Sequence, residues 1–425
     1  MWPGLLGLLL VVGNVVVFPA QWRSDVVAAS LIIATSTAVW RAASWAEASS
    51  STLSREALVL NPTGIRPKGN RPAAAAPCFR LVSGAGGRHV STPPRGVQGD
   101  GGPLSQTGAR GIAVGRDGWL FWVGRTNELV DLYTDSPASR RLLRRWVRLV
   151  ERRVRRTRAL GATYVHAIVP EKIAIHADTL DRPFPNLTDP PGLRLGRLLA
   201  SGTEARLVDL YEPLRMARAE GPVYLQTDTH WNHRGYIAAY RALCAALGVT
   251  PAAHVLEATG ETARFVFDLG GKLNPPVDEA YFAHAFPRLA HRSEANALVQ
   301  LRETGRVAGR GGFFVGSRAV MRNPEAADAR RVVLFGDSYV FDQGPRLTAM
   351  LAESFREVHA IWSAEIDWAY VDAVKPDLVV YEIAERFLRR VPTDRFSADA
   401  FAERRVRREL NPTLIDRLRA RLGLR

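Results

Sequence analysis

A serine in the turn Gly336-Asp337-Ser338 is the first residue of this sequence whose setting suits chemistry. The turn follows the apolar run 332–335 and precedes a helical stretch. In a parallel sheet this pattern places Ser338 beyond the carboxyl end of a strand, where open α/β sheets bind ligands and backbone N–H groups can stabilise an oxyanion. A Gly-Asp-Ser alone is also typical of an ordinary helix start, so the interpretation depends on partner residues elsewhere in the chain.

The expected partners of Ser338 lie in the segment Asp228-Thr229-His230-Trp231. A serine hydroxyl is inert at neutral pH unless a base takes its proton, and that base must be held in the right tautomer by an acceptor. Asp228 is predicted to orient one imidazole nitrogen of His230 while the other nitrogen faces Ser338. A purely structural hydrogen bond between Asp228 and His230 is the alternative interpretation.

The same segment also contains the pattern Asp-x-His-x-x-His, formed by Asp228, His230 and His233. These are acceptable ligand types for zinc or a harder metal. No further His, Cys or carboxylate stands at a motif-like spacing, and His233 begins a predicted helix. The sequence therefore favours a catalytic triad and predicts neither a metal nor a cofactor.

The elements that would carry these residues begin at residue 111. From there short β-rich runs alternate with helical stretches, which predicts a layered α/β domain with a largely parallel sheet over residues 111–395. Region 261–325 has weak periodicity and is predicted to form an insertion or surface loops, and residues 396–425 a basic helical tail. The predicted strands are 163–169, 205–210, 332–335, 357–362 and 378–383, and the predicted helices include 140–160, 233–247 and 345–355.

The N-terminal part of the chain has a different composition. Residues 2–20 and 26–40 are uncharged apolar runs separated by a short polar segment. Each run is near or just below the roughly 17 to 25 residues that span a bilayer as a helix, so residues 1–46 are predicted to be a membrane anchor of one or two hydrophobic helices. A buried hairpin of a soluble protein is the alternative. Residues 47–110 are rich in Ser, Pro, Gly, Ala and Arg, which predicts a flexible linker.

The net charge of +15 would suit nucleic acid, anionic lipid or an acidic polymer. In the densest basic stretch, 140–158, apolar residues recur at helical spacing between the arginines, which predicts an amphipathic helix with one solvated face. No zinc-finger spacing or RNA-binding aromatic motif accompanies the charge, so no nucleic-acid partner is predicted. Cys78 and Cys244 are the two cysteines, which allow one disulfide but no disulfide framework.

Three segments taken together resemble the SGNH-like acetyltransferases of the alginate O-acetylation (AlgJ/AlgX) type. They are Val114-Gly-Arg-Asp-Gly-Trp-Leu-Phe121, Asp228-Thr-His-Trp231 and Gly336-Asp-Ser338, with supporting matches at Val169-Pro-Glu-Lys172, Phe267-Asp-Leu-Gly270 and Tyr381-Glu-Ile-Ala-Glu-Arg386. The Asp/His segment precedes the serine, as in that family and in the reverse of the order in ordinary SGNH hydrolases. The resemblance implies an SGNH-hydrolase-like, three-layer α/β domain that transfers acetyl groups onto an exported polysaccharide.

The resemblance also implies roles for individual residues. Ser338 would become acetylated, His230 would act as base and then as acid, and Asp228 would orient His230. Three further residues match motif positions and are predicted to line the glycan cleft: Trp231, Lys172 and Arg386. Each also has a structural alternative, with Trp231 packed under the loop, Lys172 capping a strand end, and Arg386 paired with Glu382 or Glu385.

Partners and location follow from the same resemblance. A multi-spanning membrane acyltransferase is the expected acetyl donor, and the tethered catalytic domain is expected outside the cytoplasm, in the periplasm or at the cell surface. Two alternatives stay open at this point: a carbohydrate esterase that uses the same triad with water as acceptor, and an inactive polysaccharide-binding scaffold. The long linker and the doubled apolar N-terminus are not part of the family's core pattern, so the polymer is not assumed to be alginate.

Overall fold

The computed structural model describes residues 111–124, 128–257, 259–304, 314–340 and 346–411, together with the short strands Val11–Val12 and Val15–Val16, which pair antiparallel. Apart from these four valines, the predicted anchor and linker over residues 1–110 lie outside the described residues, as does Cys78. Within the described ranges, every helix is too short or too polar to cross a membrane.

The described residues from 111 to 411 form an α/β domain. Its strands are β1 (Ile112–Val114), β2 (Leu120–Trp122), β3 (Thr163–Val169), β4 (Arg206–Val208), β5 (Thr259–Phe265), β6 (Glu279–Ala285), β7 (His291–Ala295), β8 (Arg318–Arg322), β9 (Asp328–Gly336), β10 (Phe355–Trp362) and β11 (Leu378–Ala384). Its helices are α1 (Leu129–Tyr133), α2 (Pro137–Ala159), α3 (Lys172–Ile175), α4 (Pro191–Gly202), α5 (Tyr211–Ala219), α6 (His233–Leu247), α7 (Ala253–Leu256), α8 (Ala297–Glu303), α9 (Leu347–Ser354), α10 (Trp368–Val374) and α11 (Ala398–Leu410).

One seven-stranded sheet forms the centre of this domain, in the order β4-β3-β11-β9-β10-β8-β7. The five strands from β4 to β10 are parallel, whereas β8 pairs antiparallel with both β10 and β7. The sheet is therefore mixed: the predicted parallel arrangement holds for these five strands, and β8 and β7 add an antiparallel edge. Helical connections join the parallel strands β3 and β4, β9 and β10, and β10 and β11, whereas β8 comes from region 261–325 and leads into β9 without a helix.

Strands β9 and β11 lie inside the sheet and are formed by continuous apolar runs of the sequence. Val332, Val333, Leu334 and Phe335 are all fully buried, and β11 is buried along its whole length. Because successive side chains of a strand point to opposite faces, both faces of the sheet are covered, as expected for parallel strands inside an α/β domain. Burying such apolar side chains contributes roughly 1.5–3 kcal/mol each.

Region 261–325 differs most from its prediction. Instead of surface loops it supplies two strands of the sheet, β7 and β8, and a separate antiparallel ribbon formed by β5 and β6. The sequence conceals these strands because β7 reads His-Arg-Ser-Glu-Ala and is almost entirely exposed. Edge strands with polar side chains on both faces carry no alternating apolar pattern.

Helix α2 matches the predicted amphipathic helix. Its N-terminus is fixed by a capping box between Ser136 and Ser139. Its apolar face is buried, and one arginine is buried with it: Arg153 forms an ion pair with Asp394 at 2.7 Å. At the other end of the chain, α11 packs on α8 through Leu298, Leu301 and Ala402.

Candidate active site

Ser338 lies in a tight turn just beyond the carboxyl end of β9, which ends at Gly336. The carboxylate of Asp337 holds this turn by accepting hydrogen bonds from the backbone N–H groups of Tyr339, at 3.0 Å, and Ala384, at 2.8 Å. A Cβ at Gly336 would lie 2.5 Å from Glu382 Oε2, so the close approach requires glycine. Ser338 itself is only half-buried, which leaves its hydroxyl within reach of a substrate.

His230 joins Ser338 and Asp228 in one hydrogen-bonded chain. Its Nε2 lies 2.7 Å from Ser338 Oγ, and its Nδ1 lies 2.7 Å from Asp228 Oδ1. The backbone N–H of His230 also donates to Asp228 Oδ1, at 3.1 Å. The fold thus brings together residues 108 positions apart in the sequence, with a base against a hydroxyl and an acceptor behind the base.

Asp228 is the anionic end of this chain and is only 6% exposed. Burial acts to raise the pKa of its carboxyl, but the charge and hydrogen bonds of His230, together with the charge of Arg346, outweigh burial and hold the pKa below its usual range. Asp228 is therefore ionised at neutral pH. In that state it fixes the Nδ1–H tautomer of His230 and stabilises the imidazolium that forms when Nε2 takes a proton.

Trp231 lies beneath the triad and not on the surface of a cleft. Its side chain is 1% exposed, and its ring packs edge-on against Tyr339, with ring centroids 4.6 Å apart. The Tyr339 hydroxyl in turn donates to the backbone oxygen of Thr229 at 2.5 Å. This position differs from the predicted glycan-lining one and agrees with the alternative that Trp231 packs under the loop.

Arg386 follows β11 and is also buried, at 8% exposed. Its Nε forms an ion pair with Glu171 at 2.6 Å, and its Nη2 reaches the backbone oxygen of Thr229 at 3.4 Å. Burial acts to lower the pKa of the guanidinium, but the charge of Glu171 outweighs burial and raises it. Arg386 therefore supports the triad from below. Its predicted partners Glu382 and Glu385 are replaced by Glu171, and no part of its role in this structure requires a glycan.

Lys172 has the most distinctive environment of the three predicted cleft residues. It lies under residues 225–229, which carry Asp228 and which we call the acid loop. Lys172 Nζ donates to the backbone oxygens of Leu225 and Gln226, both at 3.0 Å, and of Asp228 at 2.7 Å. These bonds use all three ammonium protons. At 3% exposed, Lys172 positions the acid loop instead of lining a cleft as predicted.

Glu279, on β6, holds the N–H groups of the same loop and was not foreseen from the sequence. Its carboxylate accepts from the backbone N–H groups of Gln226 and Thr227, both at 2.7 Å. The acid loop has no regular secondary structure, so its backbone polar groups need other partners. A lysine satisfies its carbonyls and a glutamate satisfies its N–H groups. A single glutamate outside any motif gives no signal in the sequence for this role.

Two of the sequence motifs that carry the family resemblance also contact the acid loop. In Phe267-Asp-Leu-Gly270, the backbone N–H groups of Leu269 and Gly270 donate to Thr227 O at 3.0 and 2.9 Å. In the Gly-Arg-Asp-Gly-Trp-Leu-Phe motif, the backbone N–H of Leu120 donates to Gln226 O at 3.0 Å. Both motifs therefore act on the position of Asp228, and neither places a side chain in the hydrogen-bonded chain of Ser338, His230 and Asp228.

The metal interpretation of Asp228, His230 and His233 is not supported by their positions. His233 starts α6 and packs against Phe282, with ring centroids 4.8 Å apart, while His230 is hydrogen-bonded to Asp228 and Ser338. Over the part of the chain that the structure describes, no three His, Cys, Asp or Glu side chains are grouped to hold a metal ion.

Replacing Lys172 with methionine tests the role of the acid loop. Methionine fills similar space but leaves the carbonyls of Leu225 and Asp228 without donors, while Gln226 O keeps the backbone N–H of Leu120. We expect a loss of about 2 kcal/mol in the free energy of unfolding at pH 7. We also expect a rate loss of about 100-fold, because displacing the acid loop by about 1 Å misaligns Asp228. Urea denaturation and steady-state rates measure the two effects. Lys375→Met, at an exposed lysine after α10, is the matched control and should change neither.

The pH dependence of this variant provides a second check. Burial lowers the pKa of Lys172 to about 7, although Asp228 and Glu279 act to raise it. The unfolded lysine titrates near 10.4, so between these values the unfolded state binds more protons and the contribution of Lys172 to stability rises with pH. The stability difference between wild type and Lys172→Met should therefore grow from pH 7 to pH 9. A stability difference that shrinks from pH 7 to pH 9 would contradict the lowered pKa of the buried Lys172 side chain.

The chain is similar in sequence and in fold to known proteins. A family model described as SGNH hydrolase-like domain, acetyltransferase AlgX, matches residues 112–364. The probable alginate O-acetylase AlgJ of Pseudomonas putida is 27% identical over 303 residues, covering 67% of this chain and 72% of the relative. The probable alginate O-acetylase AlgJ of Pseudomonas aeruginosa is 32% identical over 136 residues, covering 31% and 32%. The solved O-acetyltransferase domain of Pseudomonas putida AlgJ is 19% identical, with a TM-score of 0.46, covering 71% of this chain and 99% of that one.

Proposed function

We propose that this chain, which belongs to the family of SGNH hydrolase-like acetyltransferases that includes AlgX, transfers an acetyl group through Ser338 onto hydroxyl groups of an exported polysaccharide. The observation that carries the proposal is the unbroken chain of two 2.7 Å hydrogen bonds from Ser338 through His230 to Asp228. The alginate O-acetylases among its relatives support a polysaccharide as the acceptor.

The reaction would proceed in two acyl transfers. In the first, Ser338 Oγ attacks the carbonyl carbon of the donor ester while His230 Nε2 takes the hydroxyl proton. The donor's alkoxide then leaves with that proton, and acetyl-Ser338 remains. In the second, His230 takes the proton of a polysaccharide hydroxyl, whose oxygen attacks the acetyl carbon, and returns the proton to Ser338 as the serine leaves. Asp228 stays ionised throughout and stabilises each imidazolium.

The donor and the location form the finer part of the proposal. A multi-spanning membrane acyltransferase would bring the acetyl group across the membrane, and this domain would work outside the cytoplasm, held by the apolar runs at 2–20 and 26–40. What supports this arrangement is the order of apolar runs, polar linker and catalytic domain along the sequence. A polymer that is already exported can be acetylated only where polymer, donor and enzyme meet.

Hydrolysis is the competing outcome, because Ser338 and His230 are both half-buried and water can reach them. The purified full chain, incubated with a soluble acetyl ester with and without polysaccharide, separates the two. We expect acetate release without polymer to be slow. Added polymer should raise ester consumption several-fold, with the acetyl group recovered on the polymer. Acetate release that no polysaccharide alters, with no acetylated polymer, would show a carbohydrate esterase instead.

A further inference from the structure

A cavity adjoins the acid loop on the side of the β5–β6 ribbon. Its volume is about 340 Å³, at the low end of the roughly 300–1,000 Å³ of small-molecule sites. It lies between the ribbon, the N-terminus of α6 and residues 224–226, two positions before Asp228. The cavity is therefore continuous with the loop that carries the triad's carboxylate.

The lining of this cavity combines aromatic rings with neutral polar groups. Tyr281, Phe282 and His233 are half-buried and contribute ring faces, and Gln226 and Asn232 contribute amide groups. Sugars present apolar C–H faces edged with hydroxyls, so they suit a site where rings give apolar area and a few polar groups fix orientation.

The charge of the cavity distinguishes between classes of sugar. Among its described lining residues Glu279 carries the one ionised group, and both of its oxygens already accept hydrogen bonds from the acid loop. Burial, followed by the charge of Arg234, lowers the pKa of His233 to about 4, so its ring is neutral at pH 7. Lysine and arginine are absent from the described residues that line this cavity. A carboxylate placed here would face Glu279 and find no cationic side chain on the cavity wall to pair with, which disfavours a uronate ring.

A row of rings extends the cavity along the ribbon. Tyr281 packs edge-on against Phe267, with ring centroids 5.0 Å apart, and Phe267 packs against Phe265 at 5.2 Å. Phe265 is 58% exposed, and Val266 and Val277 beside it are also exposed. Exposed aromatic side chains grouped next to a cavity usually mark a binding surface. These rings extend the apolar surface beyond the cavity, where further units of a bound chain would lie.

We infer that the cavity at Tyr281 and the ring row Phe265–Phe267 form a subsite that binds a neutral sugar stretch of the acceptor polysaccharide beside the triad. This inference rests on the proposed function, since it assigns part of that function's acceptor site. It also separates this chain's acceptor from a polymer built only of uronates, because such a polymer would place a carboxylate against Glu279.

Binding to the full chain carrying Ser338→Ala tests the subsite without turnover. The probes are a soluble neutral β-glucan and alginate free of acetyl groups, each titrated at pH 7 into the protein and followed by isothermal titration calorimetry. We expect the glucan to bind more tightly than alginate. Tyr281→Ala should weaken glucan binding about tenfold, the loss expected for one ring contact, whereas Tyr281→Phe should restore most of it.

Met216→Ala, at a 67% exposed side chain on α5, is the matched surface control and should bind the glucan as the parent does. Three results would each overturn the subsite: tighter binding of alginate, equal glucan affinity of Tyr281→Ala and its parent, or no binding of either polymer. Acetyl-ester cleavage by the chain with Ser338 intact reports the triad alone. Failure of the subsite with cleavage retained is therefore distinct from failure of the proposed function.

Discussion

Alanine at Ser338 and alanine at His230 are each expected to lower the rate of acetyl transfer by about 10⁵- to 10⁶-fold, and the double variant by hardly more. The reason is that the hydroxyl and the base act as one unit: His230 Nε2, at 2.7 Å from Ser338 Oγ, has no proton to take if the serine is absent. Conversely, the serine is not activated if the histidine is absent. Transfer of a labelled acetyl group from a soluble ester to polysaccharide measures the effect.

Ser363→Ala is the matched control for this pair of variants. Ser363 follows β10 at the same edge of the sheet, and its backbone N–H donates to Gly336 O at 2.9 Å. Its hydroxyl accepts a hydrogen bond from the backbone N–H of Glu365 and touches no member of the triad. Its loss should cost about 1 kcal/mol in stability and leave the rate within a few-fold. Strictly multiplicative losses at Ser338 and His230 would contradict a shared proton transfer.

Replacing Asp228 with asparagine is expected to lower the rate by about 10³- to 10⁴-fold while the fold remains intact. Asparagine has nearly the same shape, but its neutral amide neither fixes the Nδ1–H tautomer of His230 nor stabilises the imidazolium. The charge that is lost is a buried carboxylate whose pKa is already held below its usual range by His230. Single-turnover acetylation of Ser338 is the measurement that isolates this step.

Asp268→Asn is the matched control for Asp228→Asn. Its carboxylate accepts a hydrogen bond from Thr229 Oγ1 at 3.3 Å, so it is a second acid close to the same loop. Unlike Asp228, it makes no hydrogen bond to the imidazole and is 40% exposed. We expect Asp268→Asn to cost less than tenfold. A larger loss for Asp268→Asn than for Asp228→Asn would move the orienting role to Asp268.

The acid loop shows why Asp228 and His230 can lie only two positions apart. Such spacing needs an irregular backbone, and irregular backbone leaves polar groups that helices and strands would satisfy internally. Here Lys172 donates hydrogen bonds to three backbone carbonyls of the loop, and Glu279 accepts hydrogen bonds from two of its backbone N–H groups. Charged side chains thus replace secondary structure as the support of the loop, which holds the carboxylate still behind the imidazole.

Sequence reasoning found the three residues of the hydrogen-bonded chain because each stands in a short motif with its own chemical meaning. The sequence left Trp231, Lys172 and Arg386 between a cleft-lining and a structural role, since a motif position does not tell whether a side chain points to solvent or to the backbone of a neighbouring loop. All three are buried in the structure. Glu279 was missed altogether, because its partners lie 52 and 53 positions away and are backbone groups without any pattern.

The strands could be predicted from the sequence where burial imposes an apolar pattern. Strands without such a pattern could not be predicted. Strands β9 and β11 read as unbroken apolar runs because both of their faces are covered. By contrast, β7 lies at the polar edge of the sheet, β5 is exposed along most of its length, and its partner β6 is mostly half-buried. These strands are held by pairing with neighbours, which no local composition reveals.

The most direct test of the account is the identity of the acylated residue during turnover. The full chain, supplied with a soluble acetyl ester in the absence of polysaccharide and quenched in acid within one turnover, is digested and its peptides are weighed by mass spectrometry. The account predicts one added acetyl group, located on Ser338, that disappears when polysaccharide is added and is never formed in Ser338→Ala. Acetyl transfer to polysaccharide that proceeds without any acetyl-Ser338, or with the acetyl group on another residue, would contradict it.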